Sequence, residues 1–135
     1  GCGNFPILKT FKDVMADLGI EPHRYTLVSG IGQAAKFPHY TKGNTFNGLH
    51  GRALPVATGI RLANHYMPVL VTTGDGDCYG EGGNHLMAAM RRNVNIKLFV
   101  HAFNFIFDFR YTPVSLNNVI FNTVKFLVHE CKLTL

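Results

Sequence analysis

The segment VLVTTGDGDCYGEGGNHLMAAMRR, residues 69–92, decides the fold. Its apolar start predicts a buried strand over residues 69–73, and the glycines that follow predict a loop over residues 74–83. Residues 84–92 then predict a helix whose last turn is basic, as the helix dipole favours. A strand, a glycine-rich loop and a helix in this order are typical of α/β proteins.

The rest of the first hundred residues continues the alternation of strands and helices. Apolar residues at helical spacing predict a helix over residues 4–18, with Asn4 as its N-cap and Gly19 as its terminator. The other predicted elements are a strand at residues 25–29, a helix at residues 53–63 and a strand at residues 96–100. This order predicts an α/β fold with a mainly parallel sheet and helices on both faces. Ligands of such sheets bind at the carboxyl ends of the strands. The GDGD sequence, residues 74–77, lies at such an end.

Composition and charge limit the possible classes of protein. The 135 residues are enough for about one domain, and 47% hydrophobic residues argue against disorder. The net charge of +5 comes from scattered Lys and Arg without interleaved aromatic residues. It fits solubility or an anionic partner better than it fits nucleic acid. Because no run of 18 apolar residues occurs, we predict no membrane span.

The cysteines and the first residue bear on the origin of the chain. Cys2, Cys78 and Cys131 form neither a zinc-ligand pattern nor an even disulfide set, which suits a reducing cytoplasm. Gly1 is not an initiator methionine, so we expect a fragment that begins inside a larger protein.

Two common ligands fit the glycine-rich loops poorly. An EF-hand loop starting at Asp75 would need a glutamate at its twelfth position, which is Leu86. The stretch GIGQAA, residues 30–35, resembles a dinucleotide fingerprint, but residues 22–74 contain no acidic residue for the ribose. Pro38 also interrupts the helix that should follow this fingerprint.

A metal-bridged diphosphate fits the GDGD loop better. Glycines let backbone N–H groups approach phosphate oxygens, and the next helix turns its positive end toward them. Because a helix dipole contributes only ~0.3–2 kcal/mol, a divalent cation with oxygen ligands must neutralise most of the charge. Asp75 is one candidate ligand, and Asn104 follows the next predicted strand. Spacing alone leaves open that GDGDCYGEGG is only a surface turn.

Four longer segments carry a family resemblance: GCGNFPILKTFK, VSGIGQAAKFPHY, GLHGRALPVATGIRLAN and GDGDCYGEGGNHLMAAMRRNVNI. Over residues 1 to about 101 the chain resembles the beta subunit of 2-oxoacid:ferredoxin oxidoreductases. The resemblance implies a thiamine-diphosphate-binding fold, present here in part. It implies magnesium and the oxidative decarboxylation of a 2-oxoacid, such as pyruvate or 2-oxoglutarate, to acyl-CoA. Electrons then pass through iron–sulfur clusters to ferredoxin.

The resemblance also implies roles for individual residues. Asp75 and Asn104 would ligate magnesium, and Gly76 and Asp77 would line the diphosphate. The cofactor pocket would be lined by Ile31, Gly32, Gln33, Ala34 and His50. An alpha-type subunit would complete the thiamine site and supply the activating glutamate, so no catalytic residue is assigned on this chain. The other implied partners are a ferredoxin or iron–sulfur subunit, the 2-oxoacid and coenzyme A.

Two departures from the family pattern set the limits of the resemblance. Many relatives bind a four-iron cluster, but this chain has only Cys2 of the first cysteine pair and Gln33 at the loop position, which argues against a cluster here. After His101 the family pattern ends. In an alignment without a gap, the family's magnesium-binding asparagine corresponds to Phe103, and it corresponds to Asn104 only when the alignment is shifted by one residue.

These departures predict two regions and leave two alternatives. Residues 1–101 form the partial thiamine-diphosphate-binding domain, and residues 102–135 form a divergent tail, which we hypothesise to be frameshifted. One alternative is a degenerate, non-catalytic fragment that only associates with partner subunits. The other is a different thiamine-diphosphate enzyme, such as a decarboxylase.

Overall fold

The computed structural model of the chain describes residues 3–101. Four strands and three helices alternate along them: α1 (Asn4–Asp17), β1 (Thr26–Ser29), β2 (Asn44–Asn47), α2 (Ala53–Ala63), β3 (Val69–Gly74), α3 (Gly83–Arg91) and β4 (Lys97–His101). Two short 3-10 helices, Pro22–Arg24 and Ala34–Tyr40, and a π-helical turn, Gly76–Glu81, complete the list.

The four strands form one parallel sheet in the order β2-β1-β3-β4. Val71 of β3 pairs with Val28 of β1 on one side and with Leu98 of β4 on the other. The residues of β1 are all buried, as are the first five of β3, as expected for central strands of a parallel sheet that is covered on both faces. The prediction of an α/β fold with a mainly parallel sheet is confirmed.

Side chains that alternate along the strands build a separate core on each face of the sheet. The core against α2 and α3 contains Val28, Ala53, Leu54, Ala57, Val69, Val71, Cys78, Ala89, Val94, Ile96 and Leu98. The core on the opposite face contains Tyr25, Leu27, Phe37 and Leu70, and apolar residues of α1 pack against it. Helices therefore cover both faces, as predicted, and each fully buried Val or Leu contributes ~1.5–3 kcal/mol.

Helices α1 and α3 each end in a hydrogen-bonded turn of the same type. After α1, Gly19 has φ +62°, its N–H donates to Ala16, and the N–H of Ile20 donates to Met15. After α3, Asn93 has φ 49° and the same pattern follows. This Schellman turn requires a left-handed residue, which Gly and Asn adopt most readily. The predicted role of Gly19 is confirmed.

The predicted N-cap role of Asn4 is wrong. Gly3 is the N-cap of α1, without a side-chain cap, and Asn4 is the first helical residue. The Asn4 side chain instead bonds to His101 at the end of β4, with Oδ1 2.8 Å from the ring nitrogen Nδ1. A tertiary contact therefore replaces the local capping bond.

Strand β2 was absent from the sequence prediction. All four of its residues are exposed, so no apolar periodicity marks it. Asparagine side chains attach it to β1: Asn44 Nδ2 donates to the Tyr25 carbonyl at 3.1 Å, and Asn47 Nδ2 donates to Ser29 Oγ at 2.8 Å. Pairing with β1 therefore decides that this segment is a strand.

The remaining predicted elements agree with the structure to within a residue or two. One difference is that part of the predicted loop at residues 74–83 is the π-helical turn Gly76–Glu81. The predicted tail, residues 102–135, lies outside the described residues, as do Cys2 and Asn104. Within residues 3–101, no helix is long and apolar enough to cross a bilayer.

Candidate functional site

All four strands end at one edge of the sheet, at Ser29, Asn47, Gly74 and His101. The parallel register places Ser29 beside Asn47 and Thr72, and Gly74 beside His101. The loops after β1, β2 and β3 therefore meet at this edge. The GDGD residues lie in the third of these loops, where ligand sites of parallel sheets occur.

The second aspartate of GDGD, Asp77, is buried in the π-helical turn and joins the three loops. Its Oδ1 accepts from the Gly51 N–H at 2.7 Å and contacts His50 Nδ1 at 2.8 Å, both in the loop after β2. Its Oδ2 accepts from Thr73 Oγ1 at 2.6 Å and from the Ile31 N–H at 3.3 Å. Each oxygen thus has two partners, which fills the acceptor capacity of a carboxylate.

These donors explain how a buried carboxylate stays ionised. Burial by itself raises the pKa of Asp77, but hydrogen bonds from Gly51, Thr73, His50 and Ile31 outweigh it and hold that pKa below its ordinary value. The side chain has no lone pair left for a ligand. The prediction that Asp77 lines a diphosphate stays a prediction, and only its backbone N–H is available for that contact.

Glycines make room for this cluster. A β-carbon on Gly30 would overlap with the carboxylate of Asp77. Gly51 has φ +70°, and a β-carbon there would lie 2.8 Å from the backbone carbon of Glu81 and 2.9 Å from the N of Gly82. Both loops therefore approach the π-helical turn as closely as bare backbone allows.

The first aspartate, Asp75, has a different environment. It follows β3 directly and begins the π-helical turn, with φ −60° and ψ −47°, and its side chain caps nothing. Asp75 is partly exposed, and among residues 3–101 its carboxylate has no hydrogen bond or ion pair. In the same range, no cluster of three or more His, Cys, Asp or Glu could hold a metal ion. A cation at Asp75 would therefore need other oxygen donors.

The loop after β1 carries four of the predicted pocket residues. Ile31 is 45% exposed and Gly32 has φ +89°, while Gln33 is exposed and Ala34 is buried. Ser29 Oγ and Asn47 Nδ2 both donate to the carbonyl of Ala35, at 3.2 and 3.0 Å. The base of this loop is therefore tied to the ends of β1 and β2.

His50, in the loop after β2, contacts the same carboxylate as Ile31 does. Its side chain is 47% exposed, and one ring nitrogen, Nδ1, is directed at the buried carboxylate of Asp77. Because an ionised carboxylate can only accept, Nδ1 is the donor in this contact. Among the described residues, Nε2 makes no hydrogen bond.

Two further groups border the site, the buried Cys78 and the partly buried His101. Burial, together with the neighbouring charge of Asp77, raises the pKa of the Cys78 thiol to about 12, so this cysteine is not a ready thiolate ligand. Burial lowers the pKa of His101 below its ordinary 6.5, and its ring packs edge-on against Phe37. His101 is therefore neutral near pH 7.

The sequence identified the glycine-rich loop but missed three residues that organise it: Gly30, Gly51 and Thr73. Two weak signals exist, since Gly30 directly follows a strand and Gly51 follows His50 in HGR. Nothing local marks Thr73 as a donor to Asp77. The structure brings together Ile31, His50 and Asp77 by direct hydrogen bonds.

Comparison with known proteins gives a family match and a series of relatives. Residues 28–104 match the family model of the thiamine pyrophosphate enzyme C-terminal TPP binding domain. The chain is 49% identical over 96 residues to 2-oxoacid:ferredoxin oxidoreductase 2, subunit beta, of Aeropyrum pernix. It is 43% identical over 98 residues to the 2-oxoglutarate oxidoreductase subunit KorB of Mycobacterium tuberculosis.

These matches cover most of this chain but a minor part of the relatives. They include 71% and 73% of this chain, which spans only 31% and 26% of the two relatives' lengths. A solved structure of 2-oxoglutarate:ferredoxin oxidoreductase from Magnetococcus marinus, with 2-oxoglutarate, coenzyme A and succinyl-CoA bound, superimposes with a TM-score of 0.74. It is 38% identical, and the match covers 76% of this chain and 35% of that one.

Proposed function

Since the chain belongs to the thiamine pyrophosphate enzyme family through its C-terminal TPP binding domain, we propose that it is the cofactor-binding part of a 2-oxoacid:ferredoxin oxidoreductase beta subunit. The reaction of the assembled enzyme would be the oxidative decarboxylation of a 2-oxoacid to acyl-CoA. The relatives named for 2-oxoacids and 2-oxoglutarate support this substrate class. Pyruvate belongs to the same class.

The observation that carries the proposal is the contrast between the two aspartates after β3. The carboxylate of Asp77 accepts hydrogen bonds from four protein donors, whereas that of Asp75 has no donor among the described residues. A partly exposed, unpaired carboxylate at the end of a central strand fits a hard divalent cation. We assign Asp75 as a magnesium ligand and propose Asn104, from the segment after β4, as a second.

Thiamine diphosphate (TPP) would lie along the edge where the loops after β1, β2 and β3 meet. An added β-carbon on exposed Gly76 would meet only open space, so a phosphate could approach its backbone closely. The N–H groups of Gly76 and Asp77 are the proposed diphosphate contacts. The proposed lining of the pocket is Ile31, Gly32, Gln33, Ala34 and His50.

The residues of this chain would bind and orient rather than carry out the chemistry. When bound, TPP supplies the carbanion stabilisation that decarboxylation of a 2-oxoacid requires. The apolar side chain of Ile31, 45% exposed at this edge, offers one wall of the pocket. The hydrogen-bonded loop bases at Ser29 and Asn47 would hold that wall in place.

The proposed assembly needs other subunits. An alpha-type subunit would complete the thiamine site, and a ferredoxin or iron–sulfur subunit would take the electrons. We propose no iron–sulfur cluster on this chain, because Gln33 is a poor ligand and the Cys78 thiol is buried with a raised pKa. The reducing cytoplasm is the proposed location.

Calorimetric titration of the full chain with TPP, with and without Mg²⁺, tests the proposal. The experiment is run on the chain alone and together with its alpha-type subunit. We expect binding that depends on Mg²⁺ and that Asp75→Ala weakens by about tenfold or more, which is ~1.4 kcal/mol or more of binding free energy. Asp13→Ala is the matched control, because Asp13 is an exposed acid on α1 paired with Lys9.

Each negative result selects one alternative. If neither preparation binds TPP in the presence of Mg²⁺, the chain is the non-catalytic fragment. If TPP binds but the assembled subunits release carbon dioxide from a 2-oxoacid without reducing ferredoxin, the protein is a decarboxylase instead.

A further inference from the structure

The buried carboxylate of Asp77 and the ring of His50 form a pair whose geometry has a chemical consequence. Oδ1 of Asp77 lies 2.8 Å from Nδ1 of His50 and 2.7 Å from the backbone N of Gly51. Two adjacent residues of one loop therefore share one oxygen atom. The carboxylate is itself immobilised by Thr73 and Ile31 through its other oxygen.

Such a carboxylate decides which nitrogen of a neutral imidazole carries the proton. An ionised carboxylate offers no proton, so the hydrogen of the neutral ring must sit on Nδ1. The second ring nitrogen, Nε2, is then an acceptor and points away from Asp77. The side chain of His50 is 47% exposed, and Nε2 has no hydrogen-bond partner among the described residues, so a ligand can bind it.

We propose that Asp77 is a positioning residue that holds His50 as its Nδ1–H tautomer, so that Nε2 accepts a hydrogen bond from an O–H or N–H group of the bound ligand. The identity of that ligand rests on the proposed function. As an acceptor, Nε2 would bind a group that carries a hydrogen, such as an amino or hydroxyl group of the substrate or of the organic part of the cofactor.

Nitrogen-detected NMR of the full chain, without cofactor, tests the tautomer directly. The ring ¹⁵N shifts of a neutral histidine differ between its protonated and unprotonated nitrogens, so spectra at alkaline pH distinguish the two tautomers. The chain contains seven histidines, and His50→Asn identifies the signals of His50 by their loss. We expect a protonated Nδ1 and a bare Nε2. A wild-type His50 protonated on Nε2 overturns the inference.

Two variants separate positioning from general destabilisation. Asp77→Asn replaces the carboxylate by an amide and should shift His50 toward its Nε2–H tautomer. Thr73→Val removes only a donor to Oδ2 and should leave the Nδ1–H tautomer in place. If both variants change the tautomer alike, the effect is structural and the inference fails. The wild-type spectrum still tests the tautomer where Asp77→Asn does not fold.

Cofactor affinity gives the second readout. For folded Asp77→Asn we expect Mg²⁺–TPP to bind roughly 10- to 100-fold more weakly, by analogy with the groups that orient metal-binding histidines. Asp13→Asn, which makes the same chemical change on the exposed face of α1, should bind like the wild type. Unchanged affinity in Asp77→Asn, despite an altered tautomer, overturns the positioning role. If the NMR spectrum of the wild type shows Nδ1–H His50 but the chain binds no TPP, the tautomer is supported and the proposed function is overturned.

Discussion

Gly30 faces Asp77 so closely that a β-carbon added to Gly30 would overlap with the Cγ and Oδ2 atoms of the Asp77 carboxylate. The φ angle of Gly30 is not positive, so the glycine is needed for space and not for a left-handed backbone. The same carboxylate accepts the N–H of Ile31, the next residue. The end of β1 and the π-helical turn after β3 therefore fit together only when residue 30 has no side chain.

Gly30→Ala should destabilise the chain by about 1–3 kcal/mol, because the added methyl group must displace a buried, fully bonded carboxylate. Urea unfolding of the two proteins measures the change in the free energy of unfolding. Gly59→Ala is the control, since Gly59 is an exposed helical residue of α2 with nothing within 4 Å of its added β-carbon. That control should be stabilised by ~1 kcal/mol. A Gly30→Ala protein as stable as the wild type would contradict the close packing of Gly30 against Asp77.

Gly51→Ala and Gly19→Ala should differ although both glycines are left-handed, with φ +70° and +62°. At Gly19 nothing lies within 4 Å of an added β-carbon, so only the backbone strain of ~1–2 kcal/mol applies. At Gly51 the β-carbon would also meet the backbone of Glu81 at 2.8 Å, which adds about 1–3 kcal/mol. Thermal or urea unfolding compares them. Equal losses of unfolding free energy in the two variants would show that the loop after β2 accommodates the added β-carbon without further destabilisation.

Thr73→Val should destabilise the chain, whereas Thr72→Val should not. Thr73 Oγ1 donates to Asp77 at 2.6 Å, and removing a hydrogen bond to a charged group costs ~1.5–3 kcal/mol. Thr72 Oγ1 is buried and has no hydrogen-bond partner in the described part of the chain, so a methyl group in its place should be neutral or stabilising. Urea unfolding at one pH gives both values. A larger loss in Thr72→Val than in Thr73→Val would refute this assignment of the two hydroxyls.

Stability should fall as the pH drops below about 6.5, because burial lowers the pKa of His101 in the folded chain. Between that lowered pKa and 6.5 the unfolded chain binds a proton that the folded chain does not, so acid favours unfolding. Within residues 3–101, the Asn4 amide and the Phe37 ring contact the ring of His101. The contribution of His101 to the slope is at most about 1.4 kcal/mol per pH unit.

Urea unfolding at several values between about pH 5.5 and 7.5 measures this slope in the wild type and in His101→Gln. The glutamine variant does not titrate, so its stability should depend less steeply on pH over the same interval. Parallel curves for the two proteins would mean that His101 takes up its proton equally in both states.

Patterns among neighbouring residues predicted most of the secondary structure. The apolar runs of β1 and β3 and the helical spacing in α1 and α2 placed those elements to within a residue or two. They succeeded because burial of a continuous strand or of a helix face is written into neighbouring residues. Strand β2 left no such trace, since its four residues are exposed and its pairing depends on Asn44 and Asn47 reaching β1.

The sequence by itself determined that two aspartates and several glycines follow the central strand of an α/β sheet, and that this loop is where a ligand would bind. Only the tertiary structure decided which of the two carboxylates other loops hold by hydrogen bonds. The donors to Asp77 from Ile31, His50 and Gly51 come from 46, 27 and 26 residues away in the chain. No local pattern encodes such partners, because they meet only after the parallel strands have paired and brought three loops to one edge.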